Sequence, residues 1–309
     1  MQQSMLLCNG VQTHIVTEGR WVEEGLAPDG RKDIVIVIPG NPGVPAFYEG
    51  FIKSLKTKLP TETPVWIVGH AGHVLPPKHL QISIPDTSTG KHFYDLKGQL
   101  EHKAQFIKQY VPPDARIHLV GHSIGSWFTL NLLKDDTIAS KVVRCYLLFP
   151  TVERMVESTN GKFYTGFVTR VAPLLIFLAW MFTFFPLILR VFLIRAFGTF
   201  YGIPSRSTKA VLQLVNPVVL RNVFMLANDE MRYVNELDHD VVSNHADKLW
   251  FYYGSKDQWT PIKYYEELRE KHPNVQAILC KRGFYHSFVL SSDKEMGEMV
   301  GELINTTML

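Results

Sequence analysis

The sequence predicts an α/β protein: a mostly parallel, doubly wound sheet with an apolar helical cap inserted into it. Three observations carry this reading. Short β-branched runs stop at Gly or Pro, the pattern of strands buried on both faces. Helical stretches alternate with those runs, as they do when crossover helices join parallel strands. The alternation then fails between residues 151 and 240, where an uncharged block takes its place.

In chain order, the first clear strand is 34–38, Ile-Val-Ile-Val-Ile, stopped by Pro39-Gly40. Residues 65–68 end the same way at Gly69, 116–120 at Gly121, and 142–149 at Pro150. Beyond the interruption, 249–253 ends at Gly254, and 275–280 comes before Gly283. Helices are expected over 45–59, 94–110, 124–133 and 261–271. Thr260-Pro261 suits the N-cap and first turn of the last of these. The resulting divisions are a core over 1–150, an insertion over 151–240 and the second part of the core over 241–309. No internal repeat at solenoid periods is present.

Composition narrows the function. Of 309 residues, 46% are hydrophobic and 20% charged, a globular balance. A net charge of +3 without an Arg/Lys tract gives no footprint for nucleic acid. Cys8, Cys145 and Cys280 are odd in number and widely spaced. That fits neither a disulfide framework nor a zinc site and suits a reducing compartment. The first residues lack the basic and apolar regions of a signal peptide, and Gln2 excludes N-myristoylation.

Gly121-His122-Ser123-Ile124-Gly125 fits G-x-S-x-G between a strand pattern and a helix pattern. In the α/β-hydrolase fold this is a sharp strand-to-helix turn that strains the serine backbone and lifts its oxygen above the sheet. Gly121 and Gly125 must be small because the helix passes close to the strand. A serine at neutral pH needs a base, and in this fold the acid and then the base follow it in the chain. His286 lies after the last strand, where a loop can return its imidazole to Ser123. His245 and His272 compete for that role, but their positions suit the surface better. Asp257, just past the strand at 249–253, is placed to orient His286 and stabilise its charged form. Glu153 is the second choice, and Asp229, Asp238, Asp240 and Asp247 lie in or beside the insertion.

Acyl transfer also needs N–H groups aimed at the developing oxyanion. One is expected from Ile124. The other is expected from the Pro39-Gly40-Asn41-Pro42-Gly43 turn, where Pro42 has no N–H, so Asn41 is the candidate and Gly43 the reserve. Gly69-His70-Ala71-Gly72-His73 has two histidines at i, i+3 but no third ligand. It is read as a loop at the site's mouth without a metal. No cofactor is implied.

The block at 171–189 contains no charged residue and as one helix would be about 28 Å long. Pro173 and Pro186 argue against a single uninterrupted helix. Ser123 precedes the block while Asp257 and His286 follow it, so one full membrane span would separate the catalytic groups. The block is therefore expected to dip into lipid and return, or to lie in the interface, with Arg190, Arg195 and Arg206 at head groups. Leu174, Phe177, Trp180, Phe184 and Phe192 are the candidates for lipid contact or an acyl channel. The plainer alternative is an apolar cap that touches no membrane.

Together, the Pro39–Gly43 turn, the Gly121–Gly125 elbow and the apolar insertion resemble the lipid droplet-associated hydrolase family over nearly the whole chain. The resemblance implies a serine hydrolase on lipid droplets and the cytosolic face of the endoplasmic reticulum, acting on sterol esters. It carries over Ser123, Asp257 and His286 as the triad. Pro39 departs from the wider superfamily, where many members have His before the oxyanion glycine. A droplet is bounded by a monolayer, which no spanning helix can cross, in agreement with the dip-and-return argument. Two rival readings are a soluble thioesterase or small-ester esterase, and a droplet-bound lipid or protein scaffold with little turnover.

Overall fold

The computed structural model describes residues 1–81, 85 and 90–308. One sheet of eight strands runs through the protein in the order β1-β2-β4-β3-β5-β6-β7-β8. The strands are β1 Gln2–Cys8, β2 Val11–Glu18, β3 Asp33–Ile38, β4 Val65–Val68, β5 Arg116–His122, β6 Val142–Leu148, β7 Leu249–Gly254 and β8 Gln276–Cys280. All pairings from β4 through β8 are parallel, while β1–β2 and β2–β4 are antiparallel. The sheet is thus the mostly parallel one of the α/β-hydrolase fold.

The run at 34–38 is apolar throughout because both of its faces are covered. Ile34, Ile36 and Ile38 join the core on one side, and Val35 and Val37 join the core on the other. Each such side chain contributes about 1.5–3 kcal/mol by leaving water. Strands β1 and β2 were not anticipated. Their polar and apolar residues are mixed, and β1 is an edge strand, largely exposed.

The core helices are α1 Glu49–Lys56, α2 Leu96–Tyr110 and α3 Ile124–Leu132. The expected helix over 94–110 is broken at Asp95, which leaves the helical conformation and caps α2 by accepting from Gly98 N. Between β6 and β7 the chain is helical, as expected of the insertion. Its larger helices are α4 Thr169–Phe182, α5 Leu187–Tyr201, α6 Thr208–Leu214 and α7 Pro217–Tyr233. After β7 come α8 Ile262–Lys271 and, at the C-terminal end, α9 Asp293–Asn305. Pro261, not Thr260, is the N-cap of α8.

Helix runs without interruption from Thr159 to Phe182, 24 residues with mean hydropathy high enough for a membrane span. Pro173 therefore does not break it. That proline follows a π-helical turn at Tyr164–Val168, where the hydrogen-bond ladder is already irregular. The break comes at 183–186, before Pro186. Along α4, α5 and the break between them, large apolar side chains face outward: Phe184 in the break is 67% exposed, and Ile188 and Phe200 on α5 are 85% and 83% exposed. Helix α4 packs on α7, and α5 packs on α6. The segment at 205–214 and α7 meet at a bend of 86°. Arg206, half-exposed, pairs with Asp293, 2.7 Å away, at the start of α9.

Candidate active site

Strand β5 delivers Ser123 into a turn with φ 55° and ψ −124°, and α3 starts at the next residue. The turn is possible because its neighbours lack side chains. A β-carbon on Gly121 would meet Gly125 O at 2.6 Å, and one on Gly125 would meet Ile38 O at 2.1 Å. Such approaches are steric contacts that no conformer of a larger residue avoids.

Three groups that are far apart in sequence converge at the carboxyl ends of β5, β7 and β8. His286 Nε2 lies 2.9 Å from Ser123 Oγ, and His286 Nδ1 lies 2.7 Å from Asp257 Oδ2. Asp257 is itself held. Its Oδ1 accepts from Trp259 N at 2.8 Å and Thr260 N at 3.3 Å, and its Oδ2 accepts from the Thr260 hydroxyl at 2.8 Å. Burial alone would raise the Asp257 pKa, but His286 and these donors outweigh it and hold the carboxyl below its ordinary value. Thr260 thus serves the aspartate instead of capping α8.

Glu153, the second choice for the acid, pairs with Arg154 at 2.6 Å. Asp229 Oδ2 accepts from Leu96 N, and Asp238 caps a short helix. His272 is not a surface residue as expected. It is buried and stacks on His239, their ring nitrogens 2.7 Å apart. His245 is half-buried.

A second chain of bonds ties the Pro39–Gly43 turn to the base loop, and the sequence did not reveal it. Gly40 N donates to Tyr48 Oη at 2.8 Å, Tyr48 Oη lies 2.6 Å from His122 Nδ1, and His122 Nε2 lies 2.9 Å from the carbonyl of His286. With Nε2–H donating to that carbonyl, Nδ1 accepts from the tyrosine. Burial, then the neighbouring His286, push the His122 imidazole down to about 3, so it acts as a neutral spacer. His70 and His73 are also fully enclosed, which corrects the expectation of a loop at the mouth. His73 Nδ1 lies 2.6 Å from Pro42 O, and the His70 ring fills the space beside Gly43.

Two apolar cavities meet at these groups. One, of about 320 Å³, is walled by Ser123, Tyr164, Val223, Phe224 and Glu230. The other, of about 460 Å³, is walled by Phe47, Tyr48, Phe197, Ile203 and Val289. Asn41, Pro42, Leu214, Trp259 and His286 line both. Leu174, Phe177, Trp180, Phe184 and Phe192 line neither. As acyl-channel residues these five are a correction, because they sit on the outer faces of α4 and α5 and at the break between them. Phe197, Ile203, Val211 and Leu214 are the insertion's apolar contributions to the second cavity, and Glu230 was not anticipated at all.

The comparisons with known proteins follow the same lines. The profile described as lipid-droplet associated hydrolase matches residues 31–289. A lipid droplet-associated hydrolase of Drosophila melanogaster is 40% identical over 305 residues, covering 98% of each chain. The Homo sapiens protein of that name is 34% identical over 309 residues, covering 98% of this chain and 94% of its own. Among solved structures, a thioesterase domain from the curacin biosynthetic pathway aligns with TM-score 0.64 at 11% identity, over 97% of this chain and 99% of its own. An esterase from Exiguobacterium antarcticum aligns with TM-score 0.60 at 15% identity, over 98% and 99%. At such identities the structures speak for the fold alone.

Proposed function

This chain belongs to the lipid-droplet associated hydrolase family, and from that premise we propose that it cleaves an apolar acyl ester at a lipid surface through an acyl-enzyme on Ser123. The observation that carries the reading is the alignment of Asp257, His286 and Ser123 at 2.7 and 2.9 Å beside two apolar cavities.

His286 Nε2 takes the Ser123 proton as Oγ bonds to the ester carbonyl carbon. Asp257 fixes the tautomer and stabilises the imidazolium. The backbone N–H groups of Ile124 and Asn41 receive the oxyanion. Collapse of the tetrahedral intermediate breaks the bond to the alcohol oxygen, which leaves with the proton from His286. Water, deprotonated by the same imidazole, then releases the acid and restores Ser123. Two cavities that share the walls of Asn41, Trp259 and His286, one of them holding Ser123, suit a substrate with an apolar acyl chain on one side and an apolar alcohol on the other. A sterol ester is the substrate expected from the family resemblance.

The exposed apolar faces of α4 and α5 support a monotopic contact with the lipid surface, on the cytosolic face of the endoplasmic reticulum and on the droplet. Phe197 and Ile203 bring the second cavity next to that contact, a route for a substrate that never enters water. The test is hydrolysis of emulsified cholesteryl and glyceryl esters by the wild type and by Ser123→Ala. Release of fatty acid by the wild type alone is the expected result. Equal release, or none with any ester, would contradict the proposal.

A further inference from the structure

Helix α7 carries an acid in an unexpected place. Glu230 is 4% exposed, yet its carboxyl lies on the wall of the cavity that holds Ser123 and His286. Its Oε1 accepts from Asn41 Nδ2 at 3.0 Å, and the same amide nitrogen donates to Val223 O at 3.0 Å. The two bonds fasten Asn41 to α7 at two points one to two turns apart. Among the described residues, Asn41 Oδ1 is buried without a partner. The side chain is thus held entirely through its nitrogen.

We propose that Glu230 is a positioning residue for ester hydrolysis: through Asn41 it holds the 39–43 turn against α7, with the Asn41 backbone N–H facing the oxyanion formed at Ser123. The inference rests on the acyl-enzyme reading above and extends it to a residue outside the triad. A turn containing two prolines and two glycines has few side chains to fix it, and Asn41 supplies the anchor. An ordinary glutamate at this spot would put a full negative charge where negative charge must also develop, which opposes catalysis.

The surroundings keep that charge away. Burial, with a smaller push from the neighbouring Asp229 carboxylate, outweighs the Asn41 bond and raises the Glu230 carboxyl to about 8. The titratable groups packed around it are Asp229 on α7, bonded to Leu96 N, and Tyr164 on the π-turn, bonded to Asn228 and Phe224 O. His286, backed by Asp257, faces the same cavity. At neutral pH Glu230 is a carboxylic acid that accepts from Asn41 without opposing the oxyanion. Above about pH 8 it ionises, and the anion in the cavity raises the barrier to acyl transfer.

The experiment is the pH profile of kcat and KM on a soluble p-nitrophenyl ester, for the full-length wild type, Glu230→Gln and Glu230→Ala. Melting curves run alongside. Gln keeps an acceptor for Asn41 and cannot ionise. It is expected to retain kcat within about threefold at pH 7 and to lose the alkaline decline that the wild type shows near pH 8. Ala is expected to lower kcat roughly 10- to 100-fold at every pH, with KM little changed. If Ala melts at the assay temperature, Asn41→Ala replaces it, with the same fall in kcat expected. The inference is overturned if the Ala variant keeps wild-type kcat, or if Gln retains the alkaline decline. It is also overturned if Gln loses as much as Ala. A wild type that turns over no ester and takes no serine probe would overturn the acyl-enzyme reading instead, and this inference with it.

Discussion

Gly40 lies against Ser123: a β-carbon built on it would stand 2.9 Å from Ser123 Cβ and 3.2 Å from His122 Nδ1. The 39–43 turn and the nucleophile elbow therefore meet with no room between them. Gly40→Ala must move one or the other. A misplacement on the scale of 1 Å costs about 100-fold in rate, so kcat on a soluble ester is expected to fall by that order. Steady-state kinetics and a melting curve on the same preparation check it. Wild-type kcat in a folded Ala variant would show that the turn yields without consequence.

Tyr48 is the link between that turn and the base loop. Tyr48→Phe leaves the buried Gly40 N–H and His122 Nδ1 without their partner. An unsatisfied buried group costs about 1–3 kcal/mol, so denaturant unfolding is expected to show a loss of that size with unchanged slope. A neutral substitution would mean that water replaces the hydroxyl.

Asp257→Asn keeps the shape of the acid but lets the amide favour the wrong tautomer of His286. A fall of about 10⁴ in kcat is expected, with KM largely preserved. Stopped-flow or steady-state assays at pH 7 decide it. A fall of less than tenfold would remove Asp257 from the catalytic role.

Stability should also respond to pH through Glu230. Its folded pKa, about 8, is above the ordinary glutamate value of 4.5. Between those limits the folded chain holds a proton that the unfolded chain has released, so unfolding free energy falls as pH rises through that window. Glu230→Gln is expected to remove this contribution and to be the more stable protein at pH 8.5. Urea melts at pH 5, 7 and 8.5 test it, and an identical pH slope in both proteins would contradict it.

The exposed apolar faces allow a separation of fold from lipid contact. Leu174, Phe177, Phe184 and Phe192 are all at least half exposed. Replacing all four with Ser is expected to leave each site's stability within about 0.5 kcal/mol. Flotation with neutral-lipid emulsions is expected to be lost. Undiminished flotation would assign lipid binding elsewhere.

The clustering of Ser123, Asp257 and His286 was legible because each sits just past a strand end marked by glycine. Ser123 follows Gly121, Asp257 follows Gly254 and His286 follows Gly283; the strands before the first two are buried runs, whereas β8, read as another, is a partly exposed edge strand. The first two strands were not legible: β1 is a largely exposed edge without a continuous apolar run, and β2, though buried, buries Thr13, His14 and Thr17 among its apolar residues. Glu230 and Tyr48 were hidden for a different reason. The role of Glu230 depends on which side of the insertion folds onto the 39–43 turn, and that of Tyr48 on the turn meeting the 121–125 elbow; no local pattern records either. Pro173 misled because proline is costly inside a regular helix, whereas here it follows a π-turn. His272 misled because its neighbour across the fold, His239, is 33 residues away.

The central claim is that Ser123 is a nucleophile activated by His286. The most direct measurement is covalent labelling by a fluorophosphonate probe of the full-length wild type, Ser123→Ala and His286→Ala, each shown to be folded by its melting curve. The account predicts labelling of the wild type, none of Ser123→Ala, and a rate lowered by orders of magnitude in His286→Ala. A folded wild type that does not label, or a Ser123→Ala variant that labels as fast as the wild type, would contradict it.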